Sequence, residues 1–246
     1  MVAQSIEDYR IPATGAVHVM APHPDDFDAV AVMLSYLESH NRILYLTVLT
    51  GGESGVTDGY NGAVTDNDKR QLRQREQLAS CRLFGPDAFG QNAERIHFLK
   101  LSKSDSGSFY VTAENCQQIV DQIRWSGAGI LILPHGHDSN KTHQFCAELV
   151  VQACKEMDWR GEIWFNRDEK TLAMRDDLFI TFDQDKANWK AQLLRAHQSQ
   201  QHRNQETRGH GFDERVLQMN ARTADSLGLS STQPVYVESF EIQRFG

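Results

Sequence analysis

Two polar loops, each directly after a short apolar segment, carry the residue types that bind metal ions and move protons. The first is "PHPDD" at residues 22–26, and it contains His23, Asp25 and Asp26. The second is "HGHDSNKTH" at residues 135–143, and it ends in His143. Two imidazoles and one carboxylate are enough protein ligands for a catalytic zinc ion that keeps one coordination position for water. The two loops together therefore predict metal-assisted hydrolysis.

The spacing within the first loop suggests a division of roles. An i, i+3 spacing lets His23 and Asp26 face one point, which leaves Asp25 free to take a proton from water. The alternative is that Asp25, Asp26 and Asp28 only cap a helix and interact with its dipole, and "HPDD" alone favours this alternative. The second loop favours the metal site over helix capping, because three histidines, an aspartate and an asparagine within nine residues are costly to bury without a shared partner.

The segments that must position these loops alternate between strand and helix. "AVHVMA" (16–21) and "RILYLTVLT" (42–50) predict parallel strands, joined by a helix with apolar residues at helical spacing from Phe27. Further strands are predicted at 95–101, 129–134, "EIWF", "LFITF" and 235–242, and further helices at 68–85, 112–125, 143–157, 186–203 and 213–228. This pattern predicts a doubly wound α/β fold with a mainly parallel sheet.

Three polar loops directly follow predicted strands: the two described above and "GGESG" at residues 51–55. Ligands of such folds bind outside the carboxyl ends of the strands, so we expect all three loops at one edge of the sheet. The helix predicted at 186–203 carries His197, Ser199 and Gln200. It either covers this edge or presents a solvated polar face, and the sequence leaves both possibilities open.

The composition excludes some classes of partner. The 246 residues include 25 Lys and Arg against 33 Asp and Glu, and the net charge of −8 argues against a nucleic-acid binder with a basic surface. No apolar stretch approaches the roughly 18 residues that a membrane span needs, and the first residues lack a secretory signal. We therefore expect a cytoplasmic protein without a membrane span. The four cysteines are expected to be reduced and buried.

The motifs together resemble those of the PIG-L/LmbE-like zinc-dependent N-acetyl deacetylases. The resemblance lies in "HPDD" after the first strand, "GGESG" after the second, and a helix with Arg-x-x-Glu that ends in glycine; it is clearest over residues 16–157. It implies a single Rossmann-like three-layer domain, residues 1–246. It also implies a hydrolase that uses Zn²⁺, or another divalent metal, to remove the acetyl group from an N-acetylated amino sugar or sugar conjugate. A homo-oligomer is a further possibility, because members of this family often assemble.

The resemblance also assigns roles by position. It implies metal ligands at His23, Asp26 and His143, a general base at Asp25, and substrate-binding residues at Arg73 and Glu53. Arg73 lies three residues before Glu76. Without the resemblance, this pair reads more simply as two solvated charges at i, i+3 spacing on a helix.

Two departures from the family pattern leave questions open. Phe27 stands where the family commonly has glutamate, and its usual last motif, His-Pro-Asp-His, is replaced by Asn140-Lys-Thr-His143. The donor that stabilises the oxyanion is therefore either His137, oriented by Asp138 or another acid, or the side-chain amide of Asn140. The altered motif also allows a zinc amidase that acts on another amide-linked sugar conjugate, or a non-catalytic sugar-binding relative. A metal-free nucleotide-binding domain is less favoured, because no Gly-x-Gly-x-x-Gly follows the first strand.

Overall fold

A mixed sheet of eight strands organises the part of the chain that the computed structural model describes, which is residues 3–13, 15–102, 109–229 and 231–246. The strands are β1 (Gln4–Ser5), β2 (Ala16–Ala21), β3 (Ile43–Val48), β4 (Ile96–Phe98), β5 (Ile130–Pro134), β6 (Gly161–Asn166), β7 (Leu178–Phe182) and β8 (Tyr236–Phe245). Their order across the sheet is β1-β7-β8-β6-β5-β2-β3-β4. Apart from β8, which runs antiparallel to β6 and β7, all neighbours in the sheet are parallel.

Seven α-helices lie within the same described ranges. They are α1 (Ala31–Ser39), α2 (Asp66–Phe84), α3 (Ala113–Ser126), α4 (Lys141–Glu156), α5 (Gln184–Arg195), α6 (Gln198–Arg208) and α7 (Phe212–Ser226). Local sequence explains several of their starts. Thr65 and Asp68 form a capping box at α2, and the hydroxyl of Thr112 accepts a hydrogen bond from the Asn115 N–H at α3.

The α/β class and the mainly parallel sheet are confirmed. Every residue of β2 is buried, as expected for a central strand that helices cover on both faces. Apolar side chains from the two faces of the sheet belong to two separate clusters, one built around α1 and the other around α3 and α4. The sheet thus lies between two helical layers, which is the Rossmann-like three-layer arrangement.

One predicted helix is divided in the structure. The segment 186–203 belongs to two helices, α5 and α6, because the chain leaves helical geometry at His197 (φ −82°, ψ 66°). The His197 imidazole is fully buried, with its Nε2 atom 2.5 Å from Oδ2 of Asp28. This contact joins residues 169 positions apart, so helical periodicity alone could not reveal it.

The start of α1 is capped from a distant strand. Glu238 of β8 accepts hydrogen bonds from the backbone N–H groups of Val32 and Met33, at 3.0 and 2.7 Å. Buried Lys190 donates to Glu238 and to the carbonyl of Ala29, both at 2.7 Å. The residue at the N-cap of α1 makes no side-chain capping bond. The alternative that the aspartates of the first loop serve as caps for this helix is therefore wrong.

Two further expectations concern the interior and the membrane. The four cysteines, Cys81, Cys116, Cys146 and Cys154, are buried and unpaired, as predicted. Among the described residues, no helix combines the length and the apolar character that crossing a membrane requires.

His18 of β2 is a buried polar group whose charge state is coupled to folding. Its Nδ1 and Nε2 atoms lie 2.9 Å from the Ser126 hydroxyl and 2.7 Å from the Thr47 hydroxyl. Burial, and secondarily the nearby His97, lowers the pKa of His18 from 6.5 to about 3. The imidazole therefore stays neutral in the folded protein at pH values where it binds a proton in the unfolded chain.

We expect the free energy of unfolding to fall as the pH decreases from about 6 to about 4. Over this window the unfolded state binds a proton at His18 that the folded state excludes, which contributes up to about 1.4 kcal/mol per pH unit. Urea unfolding of wild type and of His18→Gln, measured across the window, checks this expectation. The variant should show the shallower pH dependence, whatever its absolute stability, and equal slopes would contradict the assignment.

Candidate metal centre

Adjacent parallel strands bring the two polar loops together. His23 and Asp26 lie in the turn that follows β2, and His143 lies in the first turn of α4, after β5. Because β2 and β5 pair in parallel, both turns leave the same edge of the sheet. One potential ligand atom from each of His23, Asp26 and His143 lies within 4.8 Å of those of the other two. The structure thus brings all three predicted metal ligands to one point.

Asp26 lies between the two imidazoles. Its Oδ2 atom is 3.3 Å from Nδ1 of His23, and its Oδ1 atom is 3.5 Å from Nε2 of His143. Burial alone would raise the pKa of Asp26, but the facing imidazoles of His143 and His23 outweigh burial and hold it below its usual range. Two imidazole nitrogens and an ionised carboxylate form a donor set that fits a zinc-type ion with one open position.

The charge balance around His143 also fits a cation. Burial lowers the pKa of this imidazole, but Asp26, Asp138 and Asp168 outweigh that effect and raise it to about 9. Three carboxylates therefore stabilise positive charge at a group that is almost completely buried. A divalent ion held by His143 would meet the same favourable field.

Asp138 fixes the orientation of the His143 ring. This carboxylate is fully buried, and its Oδ2 atom lies 3.0 Å from Nδ1 of His143. Its Oδ1 atom accepts the backbone N–H of Asn140 at 2.6 Å. Asp168 approaches the same Nδ1 atom at 3.4 Å. Carboxylates on Nδ1 leave Nε2 to face Asp26, which is the orientation that a metal-binding histidine needs.

Asp25 is held in a strained backbone conformation beside the candidate ligands. Its φ of 122° lies in a region that favours glycine, and such a conformation costs on the order of 1–3 kcal/mol. Helix α2 holds it there: Gln77 accepts the Asp25 N–H at 3.0 Å, and Nη2 of Arg73 donates to its carboxylate at 2.9 Å. Arg73 also donates to the carbonyl of Pro24. The side chain therefore faces the cavity in a fixed position.

Arg73 is a buried residue and not a solvated surface charge. Only 2% of it is exposed, and its Nε and Nη1 atoms have no hydrogen-bond partner among the described residues. Its sequence neighbour Glu76 instead accepts the N–H and the hydroxyl of Ser199, both at 2.7 Å. The alternative of a solvated Arg73–Glu76 pair is therefore wrong. Buried N–H groups without partners at a cavity wall are suited to a ligand acceptor.

A cavity of about 290 Å³ contains most of the residues predicted from the sequence. Six of the eight line it: His23, Asp25, Asp26, Arg73, Asn140 and His143. Asn140 caps α4, and its Oδ1 atom accepts the Thr142 N–H at 3.0 Å. The oxygen is thus occupied, and the NH₂ group is the part of the side chain that is left to donate to a ligand.

Two predicted residues lie outside this cavity. His137 is exposed and lines a separate groove with His135, and Asp138, which could have oriented it, contacts His143 instead. Glu53 is buried against Arg70 and lines a neighbouring cavity. Gly52, next to it, lines the main cavity and has a φ of +65°, which favours glycine.

Several residues of the cavity wall are not among those predicted from the sequence. Asp168 and Lys170 follow β6, and the remainder come from α6 and α7: Arg203, Asn204, Arg208, Phe212, Arg215 and Val216. Gln200, which the sequence left open, also lines the cavity. Asp168 and Lys170 could have been found, because β6 pairs in parallel with β5 and the polar "RDEK" (167–170) follows its carboxyl end. The residues of α6 and α7 had no comparable signal.

The fold and the centre define an α/β protein with a candidate metal site at the carboxyl edge of its sheet. Residues 18–154, more than half of the chain, match the PIG-L family, described as GlcNAc-PI de-N-acetylase. The chain therefore belongs to the PIG-L family. A comparison with curated proteins gave no significant match.

Solved structures share this fold at low sequence identity. The N,N'-diacetylchitobiose deacetylase of Pyrococcus horikoshii, complexed with an inhibitor, has a TM-score of 0.71 at 16% identity and covers 94% of this chain and 85% of its own. The 4-carboxy-2-hydroxymuconate hydratase GalB of Pseudomonas putida has a TM-score of 0.69 at 14% identity and covers 93% of this chain and 96% of its own. A zinc-inhibited form of the teicoplanin deacetylase Orf2 has a TM-score of 0.62 at 10% identity and covers 93% of this chain and 98% of its own.

Removal of either candidate imidazole should abolish metal binding. We expect purified His23→Ala and His143→Ala to lose the metal that wild type retains, because two of three protein ligands rarely hold a divalent ion tightly. Elemental analysis after equal zinc loading measures the stoichiometry. His137→Ala is the matched control and should bind as much metal as wild type. An unchanged stoichiometry in either of the first two variants would refute this ligand set.

Asp138 should affect the metal without binding it. We expect Asp138→Asn to weaken metal affinity about 10- to 100-fold, because the ring of His143 loses its charged partner at Nδ1. Competition with a chromogenic chelator measures this change, and Asp121→Asn, an exposed aspartate on α3, serves as the control. Equal affinities of Asp138→Asn and wild type would show that the ring is oriented by other groups.

Proposed function

We propose that this protein is a metal-dependent deacetylase that hydrolyses the acetamide of an N-acetylated amino sugar or sugar conjugate. The observation that carries the proposal is the meeting of His23, Asp26 and His143 in one cavity with Asp25 beside them. Membership of the PIG-L family supports it, as does the shared fold of two deacetylases that act on a chitobiose derivative and on teicoplanin. We further propose a cytoplasmic location and a small-molecule substrate.

We propose Zn²⁺ as the ion, held by His23, Asp26 and His143. Imidazole and carboxylate ligands suit zinc, and they also suit other divalent metals of the first transition series. When bound, the ion supplies Lewis-acid chemistry, which lowers the pKa of water and polarises an amide carbonyl.

Asp25 acts as the general base and then as the general acid. Its carboxylate takes a proton from the water that attacks the acetyl carbon, and it returns this proton to the amine nitrogen as the C–N bond breaks. The products are acetate and the free amino sugar. Arg73 and Gln77 hold Asp25 in place during both transfers, since they bond to its carboxylate and to its backbone N–H.

Asn140 is the donor that we propose for the developing oxyanion. Asn140 lines the cavity and its NH₂ group is left to donate because its oxygen caps α4, whereas His137 lies in another groove. A single donor of this kind typically contributes about 10²–10³ in turnover. The geometry thus favours Asn140 over His137, the two candidates that the sequence left open.

The Asp25→Asn variant should keep its metal and lose turnover. We expect kcat to fall about 10²–10⁴-fold with little change in KM, because the amide accepts no proton but occupies nearly the same volume. Acetate release and zinc content are to be measured on the same preparation, so that lost metal is not mistaken for lost base. Full activity in a zinc-loaded variant would remove Asp25 from the mechanism.

One structural relative, GalB, is a hydratase and not a deacetylase, although it shares this fold at a TM-score of 0.69. The fold alone therefore does not determine the reaction, and an activity assay must do so. The decisive experiment is therefore acetate release from a panel of N-acetylated glycosides, run alongside propionyl and glycolyl amides. Metal should be added at one equivalent, since excess zinc could inhibit, as it does for the teicoplanin deacetylase Orf2. Cleavage of the other amides alone would indicate an amidase of different acyl preference, and sugar binding without any release would indicate a non-catalytic relative.

A further inference from the structure

The cavity wall opposite the first loop is rich in positive charge. Besides Arg73, four cationic side chains line the cavity: Lys170, Arg203, Arg208 and Arg215. The acidic residues in the lining are Asp25, Asp26 and Asp168, and each already contacts Arg73 or a histidine of the candidate metal centre. This concentration of positive charge contrasts with the net charge of −8 for the whole chain.

A buried asparagine holds two of these cations together. Oδ1 of Asn204 accepts hydrogen bonds from Nη1 of Arg208 and Nη1 of Arg215, each at 3.2 Å. Asn204 is itself buried and fixed, since its NH₂ group donates to the carbonyl of Gln200 at 2.8 Å. Two guanidinium groups therefore meet at one neutral acceptor, and Glu169 pairs with Arg215 but not with Arg208, whose charge is left for an anionic ligand.

Much of this charge lacks a close acidic partner, although Lys170 acts electrostatically on Asp168 from beyond ion-pair distance. Arg215 pairs with Glu169. In the described part of the chain, no carboxylate lies within ion-pair distance of Lys170, Arg203 or Arg208. Each guanidinium presents a planar set of N–H donors that matches the oxygens of a carboxylate or a phosphate. A neutral sugar would leave these donors to water.

We propose that the α6–α7 side of the cavity binds an anionic group, so that the substrate is an acetamido sugar that also carries a carboxylate or a phosphate. The inference rests on the proposed deacetylation, because it places the acetamide at the candidate metal centre. The anionic group then lies against Arg203, Arg208 and Lys170 in the same cavity of about 290 Å³. These three cations select the substrate, and the groups of the first loop carry out the reaction.

Matched substrates that differ in one charged group test the selection. The neutral probe is N-acetylglucosamine, the phosphate probe is its 6-phosphate, and the carboxylate probe is N-acetylmuramic acid. We expect kcat/KM for at least one anionic probe to exceed that of the neutral probe about tenfold or more, as expected for a charge-assisted hydrogen bond. The preference should shrink at high ionic strength. The anionic probe with the larger preference identifies which of the two groups the wall accepts.

Variants of the wall separate this subsite from general electrostatics. Arg203→Gln/Arg208→Gln should reduce the anionic-to-neutral ratio of kcat/KM about tenfold or more. Arg222→Gln on α7 removes an exposed arginine outside the cavity and should leave this ratio as in wild type. Circular dichroism and zinc content check that the double variant is folded and loaded. An unchanged ratio in a folded, loaded double variant would overturn the proposal.

Binding without turnover separates failure of the subsite from failure of the proposed function. Calorimetry on the zinc-loaded Asp25→Asn protein, with and without the two arginine substitutions, measures affinity for each probe. One outcome is that no probe releases acetate from wild type, while the anionic probes bind about tenfold tighter than the neutral probe and do so only when the arginines are present. In that case the proposed deacetylation is wrong and the anion subsite is supported. If acetate is released equally from all probes and affinities are equal, the subsite fails and deacetylation stands.

Discussion

The candidate metal centre depends on one structural constraint, the parallel pairing of β2 with β5. Val17 and Val19 of β2 lie in register with Ile130 and Ile132 of β5, and the strands are buried on both faces. Apolar packing fixes the strands, and their direction brings both following turns to the same edge. Asp26 can lie between two imidazoles from different turns only because that pairing is fixed by the core.

A second layer of contacts keeps the first turn in an unfavourable conformation. Helix α2 bonds to the backbone and carboxylate of Asp25 through Gln77 and Arg73, and Lys190 anchors the chain at Ala29. The buried carboxylate of Asp28 bonds to Ser80 of α2 and to His197 before α6. These contacts offset the strain at Asp25, and they connect the turn to the helices that form the far wall of the cavity. The position of the proposed base is therefore a property of the whole fold.

Features that depend on interactions between residues close in sequence can be predicted, whereas features that depend on long-range contacts cannot. Strands such as β2 and β5, and the N-cap at Thr112, are determined by local periodicity and capping, so the sequence predicts them. The meeting of His23 with His143 follows from topology alone. The division of 186–203 at His197 and the orientation of Asp138 towards His143 depend on single long-range or loop contacts, which no pattern encodes. For the same reason the sequence does not reveal that His137 and Glu53 lie outside the cavity of the site.

The cavity is lined by two parts of the chain, one within the family match and one after it. The family match ends at residue 154, and it includes His23, Asp25, Asp26, Arg73 and His143. The wall that faces them is built from residues after that point, in the turn after β6 and in α6 and α7. Family membership therefore supports the residues that we propose to react. The chemical character of the ligand must instead be inferred from the wall. Asn204 holds Arg208 in this wall beside Arg215, and Arg208 has no ion-pair partner among the described residues, so we propose that the wall distinguishes ligands by their charge.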